Sequence, residues 1–238
     1  MKKYYANGLE LLLDEQAFNK GEEANLHLCR NYPKKVMAAK IFKGYRRKNL
    51  PLPNEEMYER QTTLHTESFY LPQELIHDDE GKFSGCLEDL FENPSSFTYA
   101  QCMEIKKLAF ALQKIYHDVD VFTEAGIRIH DMKVNHILYN KETDEIGVID
   151  TGLFYFNEDK DLKNQNYIHM NMELRKALLW LNKKGTETEM LSIDLPYVYD
   201  LLDTDTVSLA DILLDESKKY GVFTVEELKK VYQKEKYY

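Results

Sequence analysis

From residue 8 to residue 43, apolar runs and short stretches of alternating apolar and polar positions, separated by turns, read as strands. Leu9 to Phe18 is an apolar extended run that ends in a turn at Asn19-Lys20-Gly21. Asn25 to Cys29 alternates, Asn31-Tyr32-Pro33 turns, and Val36 to Phe42 alternates weakly. Three strands joined by short turns predict an antiparallel meander. Pro51 and Pro53 break the pattern, and Asn54 to Leu64 then reads as a helix, with Asn54 as N-cap and acids in the first turn. Extended character returns in Phe69–Leu71, Glu74–His77 and Phe83–Leu87, with Asp78 to Gly81 as a tight turn.

Past residue 95 the period changes. Over Thr98 to Tyr116, Cys102, Ile105, Leu108, Leu112 and Ile115 recur every three or four residues, which predicts an amphipathic helix with a core-facing stripe. Gly126 punctuates, and Ile127-Arg128-Ile129 reads as a very short strand. Ile137–Tyr139 and Ile146–Ile149 flank the polar stretch Lys141 to Glu145 and predict a hairpin. Further helices are expected over Asn171 to Leu181, after the capping box at Ser208 to Asp211 with Gly221 as its stop, and after a second capping box at Thr224 to Glu227. The end from Lys229 to Tyr238 reads as a solvated, mixed-charge helix end. The class is therefore α+β. A β-rich part with one helix occupies 1–90. A mostly helical part with a hairpin near 127–152 occupies 91–238.

Composition narrows the functions. A hydrophobic fraction of 43% is enough to fill a core. A net charge of −10 argues against nucleic acid or anionic membrane as a partner by bulk attraction, so a phosphate site must be local. No apolar run is long enough to span a bilayer, and Met1-Lys2-Lys3 is not followed by a signal-peptide core. Cys29, Cys86 and Cys102 are odd in number and widely spaced, so small buried hydrophobes in a reducing cytoplasm are expected rather than disulfides.

The chemistry-bearing stretch is Ile129-His-Asp-Met-Lys-Val-Asn-His-Ile-Leu138, followed by Val148-Ile-Asp-Thr-Gly152. A short strand ends in Asp131, Lys133 lies two residues on, and the second hairpin strand ends in Asp150. This layout resembles the catalytic loop and the metal-binding loop of the protein kinase superfamily. Upstream, Val36 to Ile41 resembles the lysine-bearing strand of that family.

The resemblance implies a two-lobed protein-kinase-like fold with a reduced C-lobe, in which Lys40, Asp131 and Asp150 face one nucleotide-sized cleft. Asp131 would be the base that receives a proton from the attacking hydroxyl. Lys133 would contact the γ-phosphate, and Asp150 would ligate Mg²⁺ or Mn²⁺. Gly152 would permit a sharp turn after the metal ligand. Lys40 would pair with the α/β-phosphates of ATP, held by Glu59, with Glu55 and Glu56 as alternatives. Gly21 would mark the phosphate loop. Leu87 would gate the adenine pocket, and backbone groups of Glu88 and Leu90 would hydrogen-bond the base.

The departures bear on activity. The metal-binding asparagine position, five after Asp131, holds His136, an imidazole better suited to Mn²⁺ than to Mg²⁺. Asn135 is one residue early, and on an extended strand it would face the other way. Ile129-His130 stands where the family has His-Arg. Only Gly21 remains of the glycine-rich loop, beside Glu22 and Glu23. The stretch after Asp150 is short for a peptide-binding platform. The expectation is an ATP-dependent phosphotransferase whose acceptor is a small molecule or a protein. The alternative is a pseudokinase that binds nucleotide or a protein partner. Nucleotidyl transfer on the same fold is a third reading.

Overall fold

The computed structural model describes residues 2–33, 35–43, 53–179 and 208–235. The chain is α+β, and it divides into two compact units. One comprises Met1–Thr66 and Tyr70–Phe91, the other Glu67–Phe69 and Glu92–Tyr238.

In the first unit, β1 (Tyr4–Ala6), β2 (Leu9–Glu10), β3 (Asn19–Lys20), β4 (Ala24–Cys29), β5 (Met37–Phe42), β6 (Pro72–Asp78) and β7 (Phe83–Glu88) form one antiparallel sheet. Its order is β2-β1-β6-β7-β5-β4-β3. Of the strand expected over Leu9–Phe18 only β2 and an isolated bridge from Leu13 to Cys29 form, and Asn19–Lys20, expected as a turn, is β3. Between β2 and β3, Asp14 N–H and Phe18 N–H still bond the carbonyls of Leu28 and Leu26 on β4.

The sheet sorts its side chains by alternation. Met37, Ala39 and Ile41 of β5 join Ala6, Leu11, Cys29, Ile76 and Leu87 in a buried apolar cluster on one face. Ala38, Lys40 and Phe42 therefore occupy the other face. That face is covered by α1 (Glu55–Thr62), whose Tyr58 ring meets Phe42 and Phe83 at centroid distances of 5.3 and 5.5 Å. Asn54 caps α1 by accepting the Glu56 N–H at 3.1 Å, as the sequence predicts. The Asp78 carboxylate closes the β6–β7 turn by accepting N–H groups of Glu80 and Lys82, with Gly81 in the left-handed region.

In the second unit, β8 (Pro94–Ser96), β10 (Ile137–Asn140) and β11 (Glu145–Val148) form a small sheet, and β9 (Ile127–Arg128) pairs with β12 (Tyr155–Phe156). Four helices are described in this unit: α2 (Ile105–Glu124), α3 (Leu162–Leu179), α4 (Leu209–Tyr220) and α5 (Val225–Glu235). Ser208 and Thr224 cap α4 and α5, and Gly221 terminates α4 in the left-handed conformation. Helix α2 packs on α3 and α4. Its inward residues Ile105, Leu108, Leu112, Ile115, Val119 and Phe122 are all but inaccessible. Each such side chain contributes roughly 1.5–3 kcal/mol by leaving water.

Three helix expectations need correction. Thr98–Tyr116 is not one helix: a 3₁₀ segment, Phe97–Cys102, ends at the extended residue Met103, and α2 starts at Ile105. The break is tertiary in origin, because the Ile105 N–H donates to the carbonyl of Phe223 at 2.7 Å. Cys102 consequently leaves the core stripe and is exposed, whereas Cys29 and Cys86 are buried. Helix α3 begins nine residues before Asn171, at Leu162. Lys229 is buried rather than solvated. Phe69–Leu71 is not a strand, and Phe69 makes an isolated bridge to Val148. The proline break at Pro51 and the helix end at Trp180-Leu181 lie outside the described residues.

Candidate functional site

The geometry around Asp131 begins with strand β9. The Asn166 side chain, fully buried on α3, accepts the Ile129 N–H at 2.8 Å and donates to the Ile127 carbonyl at 2.9 Å. One amide thus holds one edge of the segment that leads into the loop, bridging across Arg128. His169, on the next turn of α3, hydrogen-bonds the backbone at Met132, and burial pushes its imidazole toward the neutral form. The chain then enters the left-handed region at Asp131, with φ 53°. Lys133 donates to the Asp131 carboxylate at 2.7 Å. Val134–His136 forms a single 3₁₀ turn, closed by the His136 N–H on the Lys133 carbonyl. The extended conformation expected there, and with it the argument about which way Asn135 faces, does not hold. In the turn Asn135 is exposed and His136 is buried.

Strands β10 and β11 carry the chain out and back in register, with Ile137 opposite Val148. The Ile149 N–H bonds the His136 carbonyl at 2.9 Å, which delivers Asp150 beside the loop. Asp150 is also left-handed, with φ 63°. His136 Nε2 lies 3.7 Å from Asp150 Oδ2. The chain turns again through Thr151–Phe154, and β12 pairs with β9, placing Tyr155 opposite Arg128. The residue with the unusual backbone is Asp150 itself, while Gly152, expected to supply the sharp turn, is not among the positive-φ glycines. The hairpin therefore brings Asp131, Lys133, His136 and Asp150 onto one short loop system.

Positive φ is uncommon outside glycine, with aspartate among the better-tolerated exceptions, and such outliers cluster at functional sites. The two pairs are chemically distinct. Asp131 with Lys133 is a carboxylate–ammonium pair with roughly half-exposed side chains, open to a substrate hydroxyl. Asp150 with His136 offers one oxygen and one nitrogen ligand. Among the described residues no three His, Cys, Asp or Glu side chains converge on a metal-sized point. A divalent ion held by this one oxygen and one nitrogen would need the rest of its shell from outside the chain, and an imidazole ligand suits Mn²⁺ better than Mg²⁺.

Asp118 was not foreseen as a site-forming residue. It is fully buried in the middle of α2, and its carboxylate accepts the N–H groups of Glu67, Ser68 and Phe69. Burial pushes its pKa up, opposed by those three hydrogen bonds. The Ser68 carbonyl in turn accepts the Val148 N–H, two residues before Asp150. Neither Asp118 nor Asn166 has a signal in hydrophobic periodicity, because both are buried polar groups.

In the first unit, Lys40 sits on β5 opposite Cys86 of β7. Leu87 belongs to the apolar cluster of the opposite face, and Glu88 is buried. Leu90 lies just beyond β7 and is half-buried. Glu59 is exposed on α1, and Glu55 pairs with His77 at 2.8 Å. The Gly21 carbonyl accepts from Lys43, Glu22 is exposed and Glu23 half-buried. No helix among the described residues is long and apolar enough to cross a membrane. No protein-family model matches the chain, and neither does any curated protein.

Proposed function

We propose that the chain is an ATP-dependent phosphotransferase of the protein-kinase-like fold, acting in the cytoplasm on a small-molecule or protein acceptor. The observation that carries this reading is that two of the three left-handed aspartates, Asp131 and Asp150, flank the β10–β11 hairpin, the third, Asp144, lying in its turn. A β-sheet unit bearing Lys40 under a single helix, and a helical unit bearing both aspartates, agree with a two-lobed kinase-like layout.

In this reading Asp131 orients the acceptor hydroxyl and takes its proton as the oxygen attacks the γ-phosphorus. Lys133 lies within reach of the same carboxylate and neutralises charge that develops on the phosphoryl oxygens. Asp150 and His136 would hold Mg²⁺ or Mn²⁺, which supplies electrostatic neutralisation of the phosphates when bound. Lys40 binds the α/β-phosphates. Asn166 acts on the chemistry only through the loop it fixes.

Turnover of ATP by the purified chain, with Mg²⁺ and with Mn²⁺, tests the reading. Activity that is greater with Mn²⁺ and is lost in Asp131→Asn supports it. ATP turnover unchanged by Asp131→Asn overturns it.

A second reading, a kinase-shaped nucleotide or protein-binding module without turnover, is favoured by His136 at the metal position and by the phosphate loop reduced to Gly21 beside exposed Glu22. Nucleotide binding without ADP production distinguishes it.

A further inference from the structure

The face of the first unit's sheet that carries Lys40 has its own carboxylate. On β7, Cys86 lies directly opposite Lys40, and Glu88 lies opposite Ala38. Directly opposed residues share a face in an antiparallel pair, and diagonal neighbours two positions on stay within reach of long side chains. The Glu88 carboxylate is turned back along its strand toward that spot, since the Cys86 thiol donates to its Oε1 at 3.3 Å. Cys86 is fully buried and Glu88 is 8% exposed. A carboxylate so far from water requires a cation or several donors.

Helix α1 covers this face but sends no glutamate into it. Its buried residues are Met57, Tyr58 and Gln61. Glu56 and Glu59 are exposed, and Glu55 is occupied by His77. The other buried carboxylate of this unit, Asp78, pairs with Lys2 at 2.9 Å. Lys40 is the cation that the strand register brings beside Glu88.

We infer that Glu88 on β7, rather than a glutamate of α1, is the carboxylate that positions Lys40. The pair is built within one sheet, so Lys40 is oriented by strand register and does not depend on where α1 sits. Cys86 fixes the Glu88 rotamer through its thiol. Glu88 is a positioning residue, and that role in phosphoryl transfer rests on the phosphotransferase reading. The pair itself does not.

The test reads the Lys40 side chain directly, in the full chain without nucleotide. The ¹⁵Nζ resonance of Lys40 is assigned by its loss in Lys40→Arg. Glu88→Gln is expected to displace that resonance and leave the other lysines in place, while Glu59→Gln leaves it unmoved. A Lys40 resonance that ignores Glu88→Gln, or that moves with Glu59→Gln, overturns the inference. Should Glu88→Gln lower the melting temperature too far for spectroscopy, Lys40→Met is added. Removing both partners of a buried pair is far less damaging than removing one, so the double variant regains stability. A double variant no more stable than Glu88→Gln alone contradicts the pairing. Absence of ATP turnover in the unmodified chain would overturn the phosphotransferase reading and leave this measurement intact.

Discussion

A Cβ placed on Gly85 would stand 2.1 Å from the backbone carbonyl oxygen of Lys40. The two residues belong to adjacent strands, with Gly85 opposite Ile41 and Cys86 opposite Lys40. Glycine at this point lets β7 approach β5 closely enough to hold the register that puts Cys86 and Glu88 on the Lys40 face. The obstructing atom is backbone, so it cannot move aside cheaply. Gly85→Ala is expected to cost about 2–3 kcal/mol, the range of overpacking in a filled interior, and to shift the Lys40 environment. Chemical denaturation measures the first effect. A loss below about 0.5 kcal/mol would show that the strands separate at no cost.

The left-handed backbones of Asp131 and Asp150 make a prediction that removes the carboxylate from the comparison. At an ordinary position a glycine variant is less stable than the alanine variant by roughly 0.4–1 kcal/mol, through unfolded-state entropy. At these two positions alanine carries the roughly 1–2 kcal/mol left-handed penalty that glycine avoids. Asp131→Gly and Asp150→Gly should therefore melt at or above the temperature of the corresponding alanine variants. Neither should turn over ATP. Alanine variants that melt clearly higher than the glycine variants would mean that the strain is absent.

Asp78 makes the first unit sensitive to acid. Its carboxyl is held down to about 2, first by the Lys2 ammonium and then by the N–H groups of Lys82 and Glu80. The folded value lies below the unfolded one, so the stabilisation is present above the ordinary carboxylate range. It is lost as pH falls from about 4 through about 2. Acid unfolding followed by circular dichroism should show Asp78→Asn to be less stable at pH 7 and less dependent on pH below 4. An unchanged acid limb would contradict this assignment.

Lys229 acts in the opposite sense. Burial pushes its ammonium down to about 8, against the pull of nearby Glu226 and Cys102. The unfolded chain then binds more protons between pH 8 and the ordinary lysine value, so this group makes stability rise with pH over that window. Lys229→Met should remove the rise and stabilise the protein at neutral pH by an amount on the order of 2 kcal/mol. A melting temperature that is lower at pH 7 in the variant would show that the charged amine is well paired.

What the sequence revealed follows the physics of each element. Strands β4, β5 and β7 and the β10–β11 hairpin were legible because one face of each is apolar and the turns carry Gly, Asn or Asp. Caps at Asn54, Ser208 and Thr224 were legible because a side-chain acceptor must meet orphan N–H groups within three residues. The start of α3 was not, because its first half is rich in Asn and Gln, and Asn166 is buried by hydrogen bonds rather than by hydrophobicity. The break at Met103 was equally hidden, since it depends on Phe223, more than a hundred residues away. Asp131, Lys133, His136 and Asp150 are grouped in the sequence only by the resemblance to kinase catalytic and metal-binding loops. That Asp131 and Asp150 both adopt left-handed backbones was not legible, nor was the β5–β7 register that sets Glu88 near Lys40.

On the proposed phosphotransferase reading, Asp150 belongs to a metal–nucleotide site. The most direct test is the thermal shift of the purified protein with ATP, alone and with Mg²⁺ or Mn²⁺, beside the Asp150→Asn variant. A ligand that binds only the folded state raises stability by mass action, by about 2.7 kcal/mol at a hundredfold excess over Kd. The shift is expected to require the metal, to be larger with Mn²⁺, and to vanish in Asp150→Asn. A melting temperature unmoved by any nucleotide and metal, or moved equally in the variant, would contradict the reading.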